Sequence, residues 1–151
     1  MAAELPRNAN PLLQNYVTGQ LIGQLLRRAV VDHGLSGEEF AVQSVVNAIG
    51  PVTPTALART LGTPPTTLSA HIRRLTARGE LTRRRNPDDG RSFLLETTAK
   101  GRRTVLAIAP EFERILREVE QRLEAPAEVR AAMQALQDAV RAQLDSTAVS
   151  Q

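Results

Sequence analysis

The chain has 151 residues, 42% of them apolar, enough for one ordinary domain with a hydrophobic core. Aromatic residues make up only 3% and the apolar weight falls on Ala, Leu and Val, which favours helices and argues against an all-β fold. Cysteine is absent, which excludes disulfides, thiolate metal sites and thiol redox sensing, and the formal net charge is +3.

The distribution of charge says more than its total. Thr53 to Arg103 holds eleven Arg or Lys against four Asp or Glu, a local +7 that leaves −4 for the remainder. A basic middle between acidic ends fits a surface made for a polyanion, with a solvated charged face as the plain alternative. Met1 to Asn10 lack a basic stretch followed by an apolar core, and no run of about 18 apolar residues occurs. The reading is a cytoplasmic protein with no membrane partner.

Pro11 opens a first long helix with Leu12, Tyr16, Ile22, Leu25, Leu26, Ala29 and Val30 near helical spacing, ending by Gly34. Ser36 and Glu39 form a capping box, with Leu35 and Phe40 placed as a hydrophobic staple, so a second helix starts here. That helix carries Phe40, Val42, Val45, Val46 and Ile49 inward and stops at Gly50-Pro51. Thr53-Pro54 starts a third, of about eight residues, which Gly62 ends in a left-handed cap. Thr63-Pro64-Pro65 repeats the start signal, and the fourth helix runs through Leu68, Ile72 and Leu75 to Gly79. Two short helices in tight succession predict a helix-turn-helix.

Leu81 to Arg85 and Ser92 to Thr97 flank a turn dense in Asn, Pro, Asp and Gly, which predicts a β-hairpin. Thr98 caps a long helix with Val105, Ile108, Phe112, Ile115, Val119 and Leu123 inward and a kink at Pro110. Ala125-Pro126 breaks the chain, and a last helix carries Val129, Met133, Leu136, Val140 and Leu144 before a frayed tail from Ser146 to Gln151. Apolar stripes on long helices call for a partner helix. The fold class is mainly α with a small β-hairpin wing.

On the fourth helix, Thr66, Ala70, Arg73 and Arg74 lie opposite the apolar side, flanked by Thr67, Ser69 and His71. Small residues near the N-terminal end let such a helix approach base edges, and arginine grips guanine bidentately or holds phosphate; the alternative is a solvent-facing helix side. The hairpin adds Arg83, Arg84, Arg85 and Arg91 on a thin projection suited to the minor groove. Asp89 is either a turn former alone or also an orienting partner of Arg91.

Several of these pieces, in order, resemble the winged-helix signature of the MarR (multiple antibiotic resistance) regulators: Leu57-Ala58 to Leu61-Gly62, Leu75 four before Gly79, Arg83 after Leu81, the Asp89-Gly90-Arg91-Ser92 wing tip, and Thr98-Ala99-Lys100-Gly101. The wing is the most specific piece, and the long helices at both ends are similar too. The resemblance implies one domain over residues 1–151, with dimerisation helices in 11–34 and 99–145 and a winged helix-turn-helix DNA-binding region in 36–98. It implies a homodimer on a palindromic operator in double-stranded DNA, typically a repressor, released by a small phenolic or lipophilic ligand. Glu80 departs from the family pattern, where an apolar residue is usual, and so does Thr97, where leucine is usual.

An enzyme is the first rival. The sequence has no phosphate-cradling Gly-rich loop, no Gly-x-Ser-x-Gly elbow and no His-Glu-x-x-His pattern, and His33 and His71 fall on different elements. His33 reads as a dipole partner at a helix end, and Asp88-Asp89 lack the ligand count of a cation site. No catalytic residue, metal or cofactor is expected. The second rival is a winged helix for protein or RNA contacts. Tyr16, Phe40 and Phe112 would either line an apolar pocket or form core, and no ligand site is assigned.

Overall fold

The structure is a computed structural model and describes residues 6 and 8–148. The expected absence of a leader in residues 1–10 therefore falls mostly outside the described residues, as does the tail from 149 onward. Six α-helices and one hairpin follow in the order α1 (Pro11–Val30), a 3-10 turn (Val31–His33), α2 (Gly37–Ile49), α3 (Pro54–Leu61), α4 (Pro65–Ala77), β1 (Leu81–Arg85), β2 (Phe93–Thr97), α5 (Ala99–Glu120) and α6 (Pro126–Ala148). Among the described residues, no helix is long and apolar enough to cross a membrane.

Local chemistry sets most boundaries. The Asn10 side chain accepts from the Leu13 amide at 2.9 Å and starts α1. The capping box of α2 is complete: Ser36 Oγ accepts from the Glu39 amide at 3.1 Å and Glu39 Oε2 accepts from the Ser36 amide at 3.0 Å. Thr53 caps α3, Gly62 ends it at φ +62°, and Gly79 takes φ +72° just past α4, both in the left-handed region that glycine enters without strain. Thr98 Oγ1 accepts from the Gly101 amide and opens α5.

Several boundaries differ from expectation. The residue capping α4 is Pro64, with no side-chain bond, so Thr63 stands one position too early to cap it. Pro110, where a kink was expected, lies inside α5 without ending it, and the helix stops at Glu120, leaving Leu123 in the connection. Residues 146–148, expected to fray, continue α6. Ile49, expected inward, is 50% exposed in the last turn of α2.

The chain divides into two compact units, one reaching to Glu113 and one from Arg114. In the first, α2 packs against α1, α3, α4 and β2, and α3 against α4. The core is Val30, Phe40, Val42, Val46, Leu57, Leu68, Ile72, Leu75, Leu81, Leu95 and Ile108. Each such side chain contributes about 1.5–3 kcal/mol when fully removed from water. The antiparallel hairpin pairs Leu81 with Thr97 and Arg85 with Phe93. Val52 adds a bridge, donating to Leu95 O at 3.1 Å and accepting from the Leu95 amide at 2.8 Å, which ties the α2–α3 connection to the base of the wing.

The start of α5 lies so close to β1 that a Cβ on Gly101 would stand 2.2 Å from Glu80 O, and the Gly101 carbonyl accepts from buried Gln43 Nε2 at 2.9 Å. In the second unit, Arg130 pairs with Glu120 at 2.5 Å and Arg114 with Glu118. The α6 stripe of Val129, Met133, Val140 and Leu144 is exposed, with Leu136 half-buried.

Candidate nucleic-acid interface

The α4 helix shows two faces because its apolar residues recur at three- and four-residue spacing. Leu68, Ile72 and Leu75 are buried toward α2 and α3, while Thr66, Thr67, Ser69 and Arg73 are exposed and Ala70 is half-buried. Ser69 Oγ donates to Pro65 O at 2.7 Å, one turn back. Arg73 forms no ion pair among the described residues.

His71 corrects the expectation that it flanks this face. It is 8% exposed, because three residues after Leu68 and four before Leu75 it falls on the inner side. Its Nδ1 accepts from Arg74 Nη2 at 3.0 Å. Arg74 in turn donates from Nε to Glu39 Oε1 at 2.5 Å, so an arginine of α4 is paired to the capping carboxylate of α2. Burial pushes the Glu39 carboxyl up, but the Ser36 amide bond, Arg74 and nearby His71 together outweigh it and hold the group below its usual 4.5. Glu38 is also held below 4.5, by hydrogen bonds from its own amide and from Ser36.

The wing arginines divide into engaged and open. Arg83 lies with its guanidinium 4.5 Å from the Phe93 ring centroid, a cation–π contact on the hairpin. Arg84 Nε meets Glu96 Oε1 at 2.9 Å across the strands. Arg85 and Arg91 are exposed and form no ion pair among the described residues. Asp89 Oδ1 accepts from the Arg91 amide at 3.0 Å, which is the work of a turn former. Asn86, buried, donates from Nδ2 to Ser92 Oγ at 2.8 Å and accepts from the Asp88 amide at 3.1 Å, so the tip is laced by its own polar groups.

Sequence reasoning missed a second polar hub at the end of α4. Arg78 donates to His33 O at 3.1 Å, to Gly34 O at 3.0 Å and to Glu80 Oε1 at 3.1 Å, and Lys100 Nζ donates to Arg78 O at 2.5 Å. Glu80, at 1% exposure, also accepts from Thr104 Oγ1 at 3.3 Å. The buried Glu80 carboxylate is thus paired through Oε1 with Arg78, two residues away. The close Arg-x-Glu spacing was the available signal.

An apolar cleft of about 330 Å³ opens between Leu26 of α1, Phe40, Ala41, Ser44 and Val45 of α2, and Val105, Ala109, Phe112 and Glu113 of α5. Phe40 and Phe112 meet in its wall with centroids 5.9 Å apart, whereas Tyr16, grouped with them on sequence, is 65% exposed and outside it. No group of three or more His, Cys, Asp or Glu able to hold a metal occurs among the described residues.

Comparison with known proteins fits this geometry. The sequence model of the MarR family matches residues 33–92, from the turn before α2 to the wing tip. Over this segment the chain is similar to the MarR family. No curated protein sequence matches the chain. Among solved structures, the M. tuberculosis transcriptional regulator MOSR in complex with DNA is similar at TM-score 0.76 and 24% identity, over 88% of this chain and 97% of that one. A cysteine-to-serine variant of MarR from E. coli, complexed with operator DNA, is similar at 0.73 and 21% over 91% and 99%. PcaV from Streptomyces coelicolor with its natural ligand is similar at 0.71 and 22% over 92% and 96%. At these identities the likeness establishes the fold, a MarR-like winged helix with long helices before and after it.

Proposed function

We propose that this MarR family chain is a non-enzymatic transcriptional regulator that reads double-stranded DNA. The observation that carries the reading is the exposed Thr66, Thr67, Ser69 and Arg73 face of α4 beside a wing with open Arg85 and Arg91. Helix-turn-helix proteins place such a face in the major groove, and narrow minor grooves attract arginine. MOSR and the E. coli MarR variant, whose folds this chain shares, were captured on DNA.

The active species in this reading is a homodimer repressing from a palindromic operator, and Thr66, Thr67, Ser69, Ala70, Arg73, Arg74, Arg85 and Arg91 are its contact residues. Arg83, Arg84 and Asp89 shape the wing, and His71 acts from the inner side of α4. Exposed apolar residues on α1 and α6, such as Leu12, Ile22, Met133 and Leu144, supply surface for a second copy. The apolar cleft beside Phe40 and Phe112 is the place for a small phenolic or lipophilic ligand that releases DNA. In this reading the protein works in the cytoplasm.

The test is an anisotropy titration against duplex from upstream of the protein's own gene, repeated across salt with unrelated duplex as competitor. Selective binding that weakens steeply with salt is expected, since each neutralised phosphate contributes about −0.9 to the logarithmic salt slope. Absence of binding to any duplex would overturn the reading in favour of a module for protein or RNA contacts.

A further inference from the structure

We infer that Glu39 is a positioning residue for DNA readout: it aims the Arg74 guanidinium so that Arg74 serves sequence selectivity more than general phosphate attraction. The inference rests on the DNA-reading function proposed above. Glu39 stands on α2, outside the recognition helix, and nothing in its sequence position marks it as part of an interface.

The geometry has three parts. Glu39 is itself immobilised, since its Oε2 accepts from the Ser36 amide at 3.0 Å, leaving Oε1 to accept from Arg74 Nε at 2.5 Å. One turn before Arg74, buried His71 takes Nη2 on its Nδ1 at 3.0 Å. The guanidinium is thereby pinned along one edge by two fixed groups, yet 57% of the side chain remains exposed, with the Nη1 hydrogens unengaged.

A free arginine loses rotamer freedom when it docks; one held in its fork orientation loses less. Bidentate recognition of guanine needs a guanidinium plane fixed against the base edge, whereas phosphate attraction needs only the charge. The Glu39 carboxylate also offsets that charge locally. The pair therefore gives up general affinity and keeps directed donors, and removing the carboxylate should move the two in opposite directions. Loss of a structural prop would lower both together.

The experiment selects duplexes from a random library with the wild-type chain, then measures binding of the selected and of an unrelated duplex to wild type, Glu39→Gln, Arg74→Lys, Arg74→Ala and the Glu39→Gln/Arg74→Ala double variant. Glutamine keeps the capping box, so α2 remains intact. Arg74→Lys leaves the Ser36–Glu39 capping box of α2 in place and keeps the charge without the fork. Glu39→Gln is expected to lower the preference for selected over unrelated duplex roughly tenfold or more, with unrelated duplex bound equally or more tightly. Arg74→Lys should lose the same preference, and the double variant should lose no more than Arg74→Ala alone.

Preference within twofold of wild type in Glu39→Gln, or a Glu39→Gln loss that adds undiminished to that of Arg74→Ala, would overturn the inference while leaving the regulator reading intact. Failure of the wild-type chain to enrich any sequence would overturn that reading and the inference with it.

Discussion

Glu39 closes one helix and grips a residue of another, so its protonation is felt in the fold as well as at the interface. Its folded pKa lies below 4.5, as does that of Glu38, so both favour the folded state above that value and lose their contribution as pH falls through the folded pKa. Denaturant midpoints measured between about pH 3 and 7 should hold steady in the upper part of the range and fall in the lower part. Glu39→Gln should shallow that fall; an unchanged acid limb would show that the Ser36 and Arg74 bonds do not depress this carboxyl. Gly101 makes the complementary case, set by sterics. The Cβ of Gly101→Ala would stand 2.2 Å from Glu80 O and 2.9 Å from Thr97 Cγ2, and backbone cannot yield as a flexible side chain does. A loss of at least ~1–3 kcal/mol is expected, read as a lower urea midpoint at unchanged m. The capping half of Glu39 was legible because it is local, three residues from Ser36. The Arg74 half was not, because that partner is 35 residues away and only packing of α2 on α4 brings them together.

The wing shows how an element can carry more charge than it offers. Of its arginines, Arg83 lies over Phe93 and Arg84 is paired with Glu96, leaving Arg85 and Arg91 open. Arg91→Ala is therefore expected to weaken duplex binding by ~1–3 kcal/mol and to lower the logarithmic salt slope by about one. Arg84→Ala should cost less than half as much, because the Arg84 guanidinium is already paired with Glu96 and offers phosphate less uncompensated charge. Parallel anisotropy titrations at several salt concentrations check both, and equal losses at the two positions would refute the division. The hairpin itself was readable from its Asn-Pro-Asp-Asp-Gly turn, and α3 and α4 from the Pro and Gly that punctuate them, since those residues act through their own backbone. What the sequence left hidden depended on neighbours far along the chain. The Val52–Leu95 bridge joins residues 43 apart, and Glu80 looked like a misplaced acid until Arg78 was seen against it. His71 was readable in principle, since its spacing from Leu68 and Leu75 places it inward; its polarity argued the other way and was the poorer guide.

The long helices leave unsatisfied what the winged-helix core has satisfied. Leu12, Tyr16, Leu21 and Ile22 on α1 are exposed, and so are Val129, Met133, Val140 and Leu144 on α6, where successive spacings of four, seven and four residues are those of a buried stripe. Scattered exposed apolar residues need no explanation, but a stripe repeated along the whole of α6 exceeds what a monomer ordinarily leaves in water. A second copy supplies the covering surface in the reading proposed above, and Met133 separates that reading from a monomer sharply. The side chain is 47% exposed within one chain, so in a monomer Met133→Glu replaces a surface residue and should change stability by less than about 0.5 kcal/mol. In a dimer the same change buries an unpaired carboxylate at the contact between copies, which costs several kcal/mol. Sedimentation equilibrium should then show the mass of two chains for the wild type and of one for Met133→Glu. Operator affinity should fall with it, because two half-sites bound by linked subunits gain an effective concentration that separate monomers lack. A wild type that sediments as one chain at micromolar concentration, or a Met133→Glu variant that keeps both its mass and its affinity, would place the covering surface elsewhere than on α6.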